Sequence, residues 1–329
     1  MVALLLAILL ILLTASMMSI SFLRRGVHKA ALDPINFQPF RLMARRQVSP
    51  DSFVFRFALP HPSQELGLPI GQHIALRAEC DLGEGKKELV VHSYTPIAHD
   101  TRGYVDLLIK VYFAGVHPKY PRGGRLTQHL YRMQMNDTID VRGPKGRLEY
   151  LGGGNCSIPT PPSTTRRFHV DRFAMIAGGS GITPFLQIIH AIRKDPSDRT
   201  EVDLIYANQS PEDILLREEL DTFVREGEGR VRVWYTVDRD APSDWAYDVG
   251  YITEEMLRAH LPIPSKPLDG DAREKENTAE ANGEEKRENE KERSRSVLAL
   301  VCGPPAMNQV AVKPNLLKIG YAEEDIFIF

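Results

Sequence analysis

Apolar and polar positions alternate in short runs over residues 37–150: Ser-Phe-Val-Phe-Arg-Phe-Ala-Leu at 52–59, Gln-His-Ile-Ala-Leu-Arg-Ala at 72–78, Tyr-Val-Asp-Leu-Leu-Ile-Lys-Val-Tyr-Phe at 104–113 and Asp-Thr-Ile-Asp-Val-Arg-Gly-Pro at 137–144. Gly and Pro break the runs. Successive strand side chains point to opposite faces, so this pattern predicts short half-buried strands that close as a small antiparallel β-barrel. Over 169–329 the rhythm changes. Compact apolar runs (172–177, 201–208, 231–237, 297–302) alternate with longer stretches of helical character (183–194, 214–226). That alternation predicts a parallel sheet with helices on both faces. Between the two lies 151–168, rich in Gly, Pro, Ser and Thr, which reads as a linker. The expected fold class is α+β with two domains, an antiparallel β-barrel followed by an α/β parallel-sheet domain.

Two segments fall outside this pattern. Residues 1–23 carry no charged side chain. At about 1.5 Å per residue they can cross a hydrocarbon core of about 30 Å, so an N-terminal transmembrane helix is expected. A cleaved signal peptide is the rival reading, but no basic region precedes the run. Arg24, Arg25, His28 and Lys29 on its far side favour a cytosolic main body. Residues 265–296 are mostly Glu, Lys, Arg, Asn and Asp, and cannot bury enough surface to offset the entropy of ordering; a disordered charged insertion is expected.

Composition removes some functions. With 41 Lys and Arg against 43 Asp and Glu the net charge is −2, which leaves no basic footprint for nucleic acid. Three cysteines, Cys80, Cys156 and Cys302, form no C-x-x-C pair and are fewer than the four thiolates of an ordinary iron–sulfur cluster. No metal site is expected.

Candidate chemistry gathers at a few loops. Ala177-Gly178-Gly179-Ser180-Gly181-Ile182-Thr183-Pro184 follows a predicted strand and opens a predicted helix. Thr183 is placed to cap that helix and Pro184 suits its first turn, so free N–H groups can cradle a phosphate. A tight structural turn is the alternative, and Pro184 occupies the place of the last glycine of G-x-G-x-x-G. Cys302-Gly303-Pro304 ends the last apolar run and lies at the same carboxyl rim, either as a site thiol or as a small buried hydrophobe. Asp238, just past 231–237, can accept hydrogen bonds from a ribose 2′-hydroxyl, or serve only as turn chemistry. A second loop, Gly123-Gly124-Arg125-Leu126-Thr127, opens a short helix in the first half. Lys110 reads equally as a plain outward lysine. The run Val90–Ala98 ends in His92, Tyr94, Thr95 and Pro96, where a strand stops.

Taken together, L-P-I-G-Q-H-I, H-S-Y-T-P, D-L-L-I-K-V-Y-F, G-G-R-L-T-Q, R-G-P-K-G, I-A-G-G-S-G-I-T-P, A-N-Q, W-Y-T-V-D-R and C-G-P-P-A-M resemble, in order and spacing, the NADH-cytochrome b5 reductase family of the ferredoxin-NADP reductase superfamily. The likeness runs from about Leu32 to Phe329. It implies that 37–150 is an FAD-binding barrel, that 169–329 binds NADH, and that the flavin lies between them. By resemblance, His92, Tyr94, Thr95, Ile109, Lys110, Val111, Tyr112, Gly124, Arg125, Leu126 and Thr127 bind FAD or border it. Gly179, Ser180, Gly181, Thr183, Pro184, Asp238, Cys302, Gly303 and Pro304 hold NADH, with Thr95 and Cys302 nearest the reacting rings and Asp238 selecting NADH over NADPH. Arg125, Leu126 and Thr127 are expected to supply backbone and hydroxyl donors to the flavin phosphate.

One departure stands out. His92 takes the place of an Arg that grips the flavin phosphate, and Ala98 that of a Ser or Asn. An imidazole offers fewer donors than a guanidinium and loses its charge near neutrality, so looser FAD is expected. The resemblance further implies electron delivery to cytochrome b5 or a similar acidic haem protein, steered by Lys119, Arg122, Arg125, Arg166 and Arg167 unless these are ordinary solvated charges. It implies a monomer on the endoplasmic reticulum or mitochondrial outer membrane. A quinone or ferric acceptor, or a catalytically degenerate membrane-anchored interaction protein, are the other readings.

Overall fold

The computed structural model describes residues 30–83, 85–98, 100–116, 121–160, 164–264 and 296–329. The first part holds strands β1 (Gln38–Ser49), β2 (Ser52–Ala58), β3 (His73–Gly83), β4 (Lys86–Tyr94) and β5 (Tyr104–Lys110), helix α1 (Arg125–Arg132) and strand β6 (Thr138–Lys145). They form one antiparallel sheet in the order β4-β3-β6-β1-β2-β5. Alternation decides the inner face: Phe53, Phe55 and Phe57 of β2 join Leu42, Ile74, Leu76, Leu107, Ile139 and Val141 in one buried cluster. Helix α1 drops Leu126 and Leu130 into the same cluster. The expected barrel is thus a sheet with β4 and β5 as its two ends, no ladder joining them among the described residues.

β2 departs from alternation because both its faces are covered. Val54, with Leu108 of β5, points away from the first core and belongs instead to the cluster of Phe173, Met175, Phe185 and Ile189 in the second part of the chain. One apolar cluster therefore crosses the junction and brings the two sheets together.

The expected linker is corrected by the structure. Residues of 151–168 form most of a three-stranded antiparallel sheet, β7 (Glu149–Gly152), β8 (Asn155–Thr160) and β9 (Thr164–His169). Gly152, Gly153 and Gly154 all have positive φ and make the β7–β8 turn. That turn is tied down: the Gly153 N–H donates to Asp198 Oδ2 at 2.9 Å and the Gly154 N–H to the Tyr150 hydroxyl at 3.0 Å, while that hydroxyl donates to Asp198. A glycine run marks a turn as readily as a spacer, and here the buried Tyr150 and Cys156 supply the packing that a spacer lacks.

The second part runs β10 (Arg172–Gly178), α2 (Thr183–Lys194), β11 (Glu201–Asn208), α3 (Arg217–Glu226), β12 (Val231–Val237), β13 (Asp248–Val249), α4 (Glu254–His260), β14 (Val297–Cys302), α5 (Lys313–Lys318) and β15 (Ile326–Ile328). All pairs in this sheet are parallel, in the order β13-β12-β11-β10-β14-β15. Strands buried on both faces read as continuous apolar runs, which is why β11, β12 and β14 match the expected segments. Met175 and Leu204 face α2 and α3, whereas Ile176 and Ile205 face α4 and α5. The chain leaves β10 in one direction and returns on its other side at β14, so the strand order reverses between β10 and β14. The expected anchor 1–23 and nearly all of the expected insertion 265–296 lie outside the described residues. Among the described residues no helix is long and apolar enough to cross a membrane.

Candidate functional site

Open parallel sheets bind ligands outside the carboxyl ends of their strands, where the order reverses. Here that place is shared by Gly179–Ile182, which follows β10, and Cys302–Pro304, which begins at the last residue of β14. The two loops touch: a Cβ on Gly181 would lie 2.2 Å from the Cys302 carbonyl oxygen, so any side chain there would force them apart. Gly179, at φ +53°, has nothing within 4 Å of its own Cβ direction and stays open. The Tyr206 hydroxyl donates to the Gly179 carbonyl at 2.9 Å and holds the loop from below. Glycine thus serves loop packing at 181 and leaves open space at 179.

Thr183 does not cap α2. The turn Gly179–Ile182 runs directly into the helix, which gives Thr183 helical φ and ψ of −59° and −42°, and its hydroxyl donates back to the Ser180 carbonyl at 3.2 Å. A cap needs an extended residue at that point. The first turn of α2 carries no acidic side chain and has Pro184 at its start, so its N-terminal end remains favourable to an anion.

The Cys302 thiol is pushed up to about 12 by burial. It is protonated at neutral pH and is no nucleophile. Its role here is that of a compact, partly buried wall beside the glycine loop. Asp238 lies just beyond β12, its N–H donating to the Asn208 carbonyl at 3.3 Å and its carboxylate exposed at the rim. Asn208, the last residue of β11, is a member of this rim that the sequence reading quoted without giving it a role. Its side-chain amide is buried beside the Tyr206 hydroxyl.

The first sheet brings its candidates to the ends β4 and β5. His92 is exposed on β4, opposite Leu76. Tyr94 closes the strand, half-buried, and burial raises its phenol well above the usual range. Thr95 follows, half-buried, and Pro96 is buried. Ile109 and Val111 turn their side chains into the core, so only their main chains can face a ligand. Tyr112 by contrast is 53% exposed.

The loop before α1 is held against Tyr112: the Gly124 N–H donates to the Tyr112 carbonyl at 2.8 Å, and the Tyr112 N–H to Thr127 Oγ1 at 3.3 Å. The Thr127 hydroxyl donates to the Gly124 carbonyl at 3.1 Å. That hydroxyl is committed inside the loop, contrary to the expectation that it faces a phosphate. Leu126 is buried in the core, and Arg125 pairs with Glu88 of β4. What remains for an anion is the main chain at the start of α1, where Gly124 provides no side-chain cap.

Lys110 is not a free outward lysine. Its ammonium lies 2.8 Å from Asp51 Oδ1 and 3.2 Å from Asp213 Oδ1, with only 16% of the side chain exposed. Burial is the largest influence on it and acts downward, but the hydrogen bonds and charges of the two carboxylates outweigh it, and the net shift is upward. Of the steering candidates, Lys119 lies outside the described residues, Arg122 and Arg167 are exposed, and Arg166 stacks 4.8 Å above the Phe168 ring.

The two halves are joined by a residue that the sequence reading passed over. Gln187, one turn into α2 and fully buried, donates through Nε2 to the Pro96 carbonyl at 2.9 Å, while its Oε1 accepts from the Gly71 N–H at 3.1 Å. A single Gln inside the apolar run Phe185–Ile189 was the signal; buried amides of this kind are there to be paired.

Comparison with known proteins agrees with this division. Family models described as oxidoreductase FAD-binding domain and oxidoreductase NAD-binding domain match residues 39–150 and 175–313 respectively. Human NADH-cytochrome b5 reductase 2 is 44% identical over 90% of this chain and 96% of its own length. The NADH nitrate reductase of Lotus japonicus is 43% identical over 92% of this chain, which corresponds to 29% of that longer enzyme. Among solved structures, the cytochrome b5 reductase domain of Ulva prolifera nitrate reductase superposes with a TM-score of 0.77 at 35% identity, covering 92% of this chain and all of that one.

Proposed function

Because the chain belongs to the NADH-cytochrome b5 reductase family, we propose that it is an NADH-dependent, FAD-containing oxidoreductase that passes electrons to cytochrome b5 from a site at the junction of its two sheets. The observation that carries this reading is the Gln187–Pro96 hydrogen bond, which brings the helix opened by the Gly179–Gly181 loop to within one residue of Thr95.

FAD fits the residues present. The exposed Tyr112 ring, the half-buried Tyr94 and Thr95 and the uncapped main-chain N–H groups at the start of α1 offer a ring platform and an anion cradle on one side of the first sheet. When bound, FAD supplies the capacity to accept a hydride and release electrons singly, which no amino-acid side chain provides. The chain's own residues bind and orient. Gly179, Ser180 and the start of α2 receive the dinucleotide phosphates, with Thr183 and Pro184 shaping that first turn and Gly303 and Pro304 forming the facing loop. Gly181 and Cys302, in contact, close the floor beneath the nicotinamide, and the Cys302 thiol keeps its proton throughout. Asp238 accepts from a ribose 2′-hydroxyl and repels a 2′-phosphate.

The reading extends to the apolar run 1–23 as a membrane anchor holding the catalytic part on the cytosolic face of the endoplasmic reticulum or mitochondrial outer membrane. Anchoring enzyme and acceptor in one membrane raises their effective concentration. Arg122 and Arg167 are exposed cations suited to steering an acidic partner, and the enzyme acts as a monomer.

Anaerobic mixing of the FAD-loaded protein with NADH, then with cytochrome b5, tests the function. Rapid bleaching of the flavin followed by cytochrome reduction is expected. Bleaching without transfer to cytochrome b5 moves the acceptor to a quinone or ferric chelate, and failure to retain any flavin rejects the enzyme altogether. Carbonate extraction of membranes with and without residues 1–23 tests the anchor.

A further inference from the structure

Among the described residues, Gln187 on helix α2 is the one side chain of the second part that bonds simultaneously to two separate loops of the first sheet. Its amide reaches Pro96 O at 2.9 Å and receives the Gly71 N–H at 3.1 Å. Each partner is constrained. Pro96 has no N–H and offers only its carbonyl; Gly71 stands at φ +89°, where its Cβ would press within 3.3 Å of the Leu148 carbonyl. All three residues are buried.

The paths from this pin to the two cradles are short and stiff. On one side it is a single peptide from Pro96 to Thr95. On the other it is four residues of helix from Gln187 back to Thr183, about 6 Å at about 1.5 Å per residue. The apolar cluster across the junction has no directionality and permits small sliding, whereas a two-point amide does not.

We propose that Gln187 is a positioning residue for hydride transfer: it sets the rotation of the second sheet against the first so that the nicotinamide cradle meets the Thr95 end of β4. This rests on the function proposed above. Hydride transfer between stacked rings is sensitive to placement, and a displacement of about 1 Å can cost on the order of 10²-fold.

The test compares the FAD-loaded wild type with Gln187→Met, which keeps an unbranched side chain of similar size and removes both bonds, and Gln187→Glu, whose carboxyl, uncharged when fully buried, keeps an acceptor for Gly71 and an O–H donor for Pro96. Three quantities are read: the limiting rate of flavin bleaching per bound FAD at saturating NADH, the KM for NADH, and hydrogen exchange at the Gly71 amide. Expected for the Met variant is a limiting rate lower by tenfold or more with KM within twofold of wild type, and faster Gly71 exchange. Expected for the Glu variant is a limiting rate nearer wild type than that of the Met variant, with Gly71 protected, which separates loss of the two bonds from a general effect of substitution. A Met variant with the wild-type limiting rate per bound flavin, a deficit carried wholly by FAD content or KM, or Gly71 exchange unchanged in the Met variant would each overturn the pin. A wild type that NADH fails to bleach overturns the proposed function instead.

Discussion

Lys110, the last residue of β5, holds Asp213 across the junction of the two sheets, its Nζ 3.2 Å from Asp213 Oδ1 while it also binds Asp51 at 2.8 Å. Asp51 lies in the β1–β2 turn and Asp213 beyond the carboxyl end of β11, so one cation bonds both halves of the molecule. Its pKa is raised, so the tie is fully present at neutral pH and is lost only as pH climbs through the lysine's own titration. Removing the cation leaves two partly buried carboxylates facing each other. Lys110→Met is therefore expected to destabilise by about 1–3 kcal/mol, and Asp213→Asn by less than about 1 kcal/mol because Asp51 still pairs with the lysine. Urea unfolding of the two single variants and the double variant checks this, with the double variant expected to recover part of the Lys110→Met loss.

His92 projects from the exposed end strand β4. In the FAD site proposed above, its imidazole offers fewer donors to a phosphate than a guanidinium would, so FAD is expected to be held loosely. His92→Arg should tighten FAD several-fold. Equilibrium dialysis of FAD against both forms is the measurement, and equal affinity would refute the assignment.

Asp238 has an exposed carboxylate at the rim just past β12, and its N–H donates to the Asn208 carbonyl. Asp238→Ser is expected to raise kcat/KM for NADPH by tenfold or more while lowering that for NADH. If the ratio of the two nucleotides does not move, Asp238 is outside the binding site.

Three histidines respond to acid together. His73, His129 and His260 all have lowered pKa values, in each case chiefly through burial, with Lys145 and Arg132 adding to the effect at His73 and His129. A base whose folded-state pKa is depressed favours the folded state above its unfolded pKa, and that contribution is lost as pH falls through the folded value. Tm should therefore decline from about pH 6.5 downward, and His73→Gln should make the decline shallower. A Tm that is flat between pH 7 and 5 in the wild type would contradict this.

Residues 201–208, 231–237 and 297–302 were legible as strands because a parallel strand covered on both faces must be apolar nearly throughout, and that requirement is written locally. The same holds for the two glycine loops, since a loop that must approach another backbone tolerates no Cβ, as Gly181 against Cys302 demonstrates. The sheet β7–β8–β9 was not legible: Gly and Pro report that the chain turns, and only the pairing of Cys156 with Phe168 and the anchoring of Gly153 on Asp198 make the turn part of a sheet.

What the sequence determined by itself is therefore the kind of elements, their order and the two loops that open α1 and α2. What only the tertiary structure decided is the commitment of individual polar groups. Thr127 and Thr183 turn their hydroxyls inward, Lys110 becomes a tie, and Gln187 becomes a pin on a carbonyl 91 residues away. Periodicity is a property of neighbours along the chain, whereas a hydrogen bond between two docked sheets depends on where their surfaces meet, and that is set by the apolar cluster of Val54, Leu108, Phe185 and Ile189 between them.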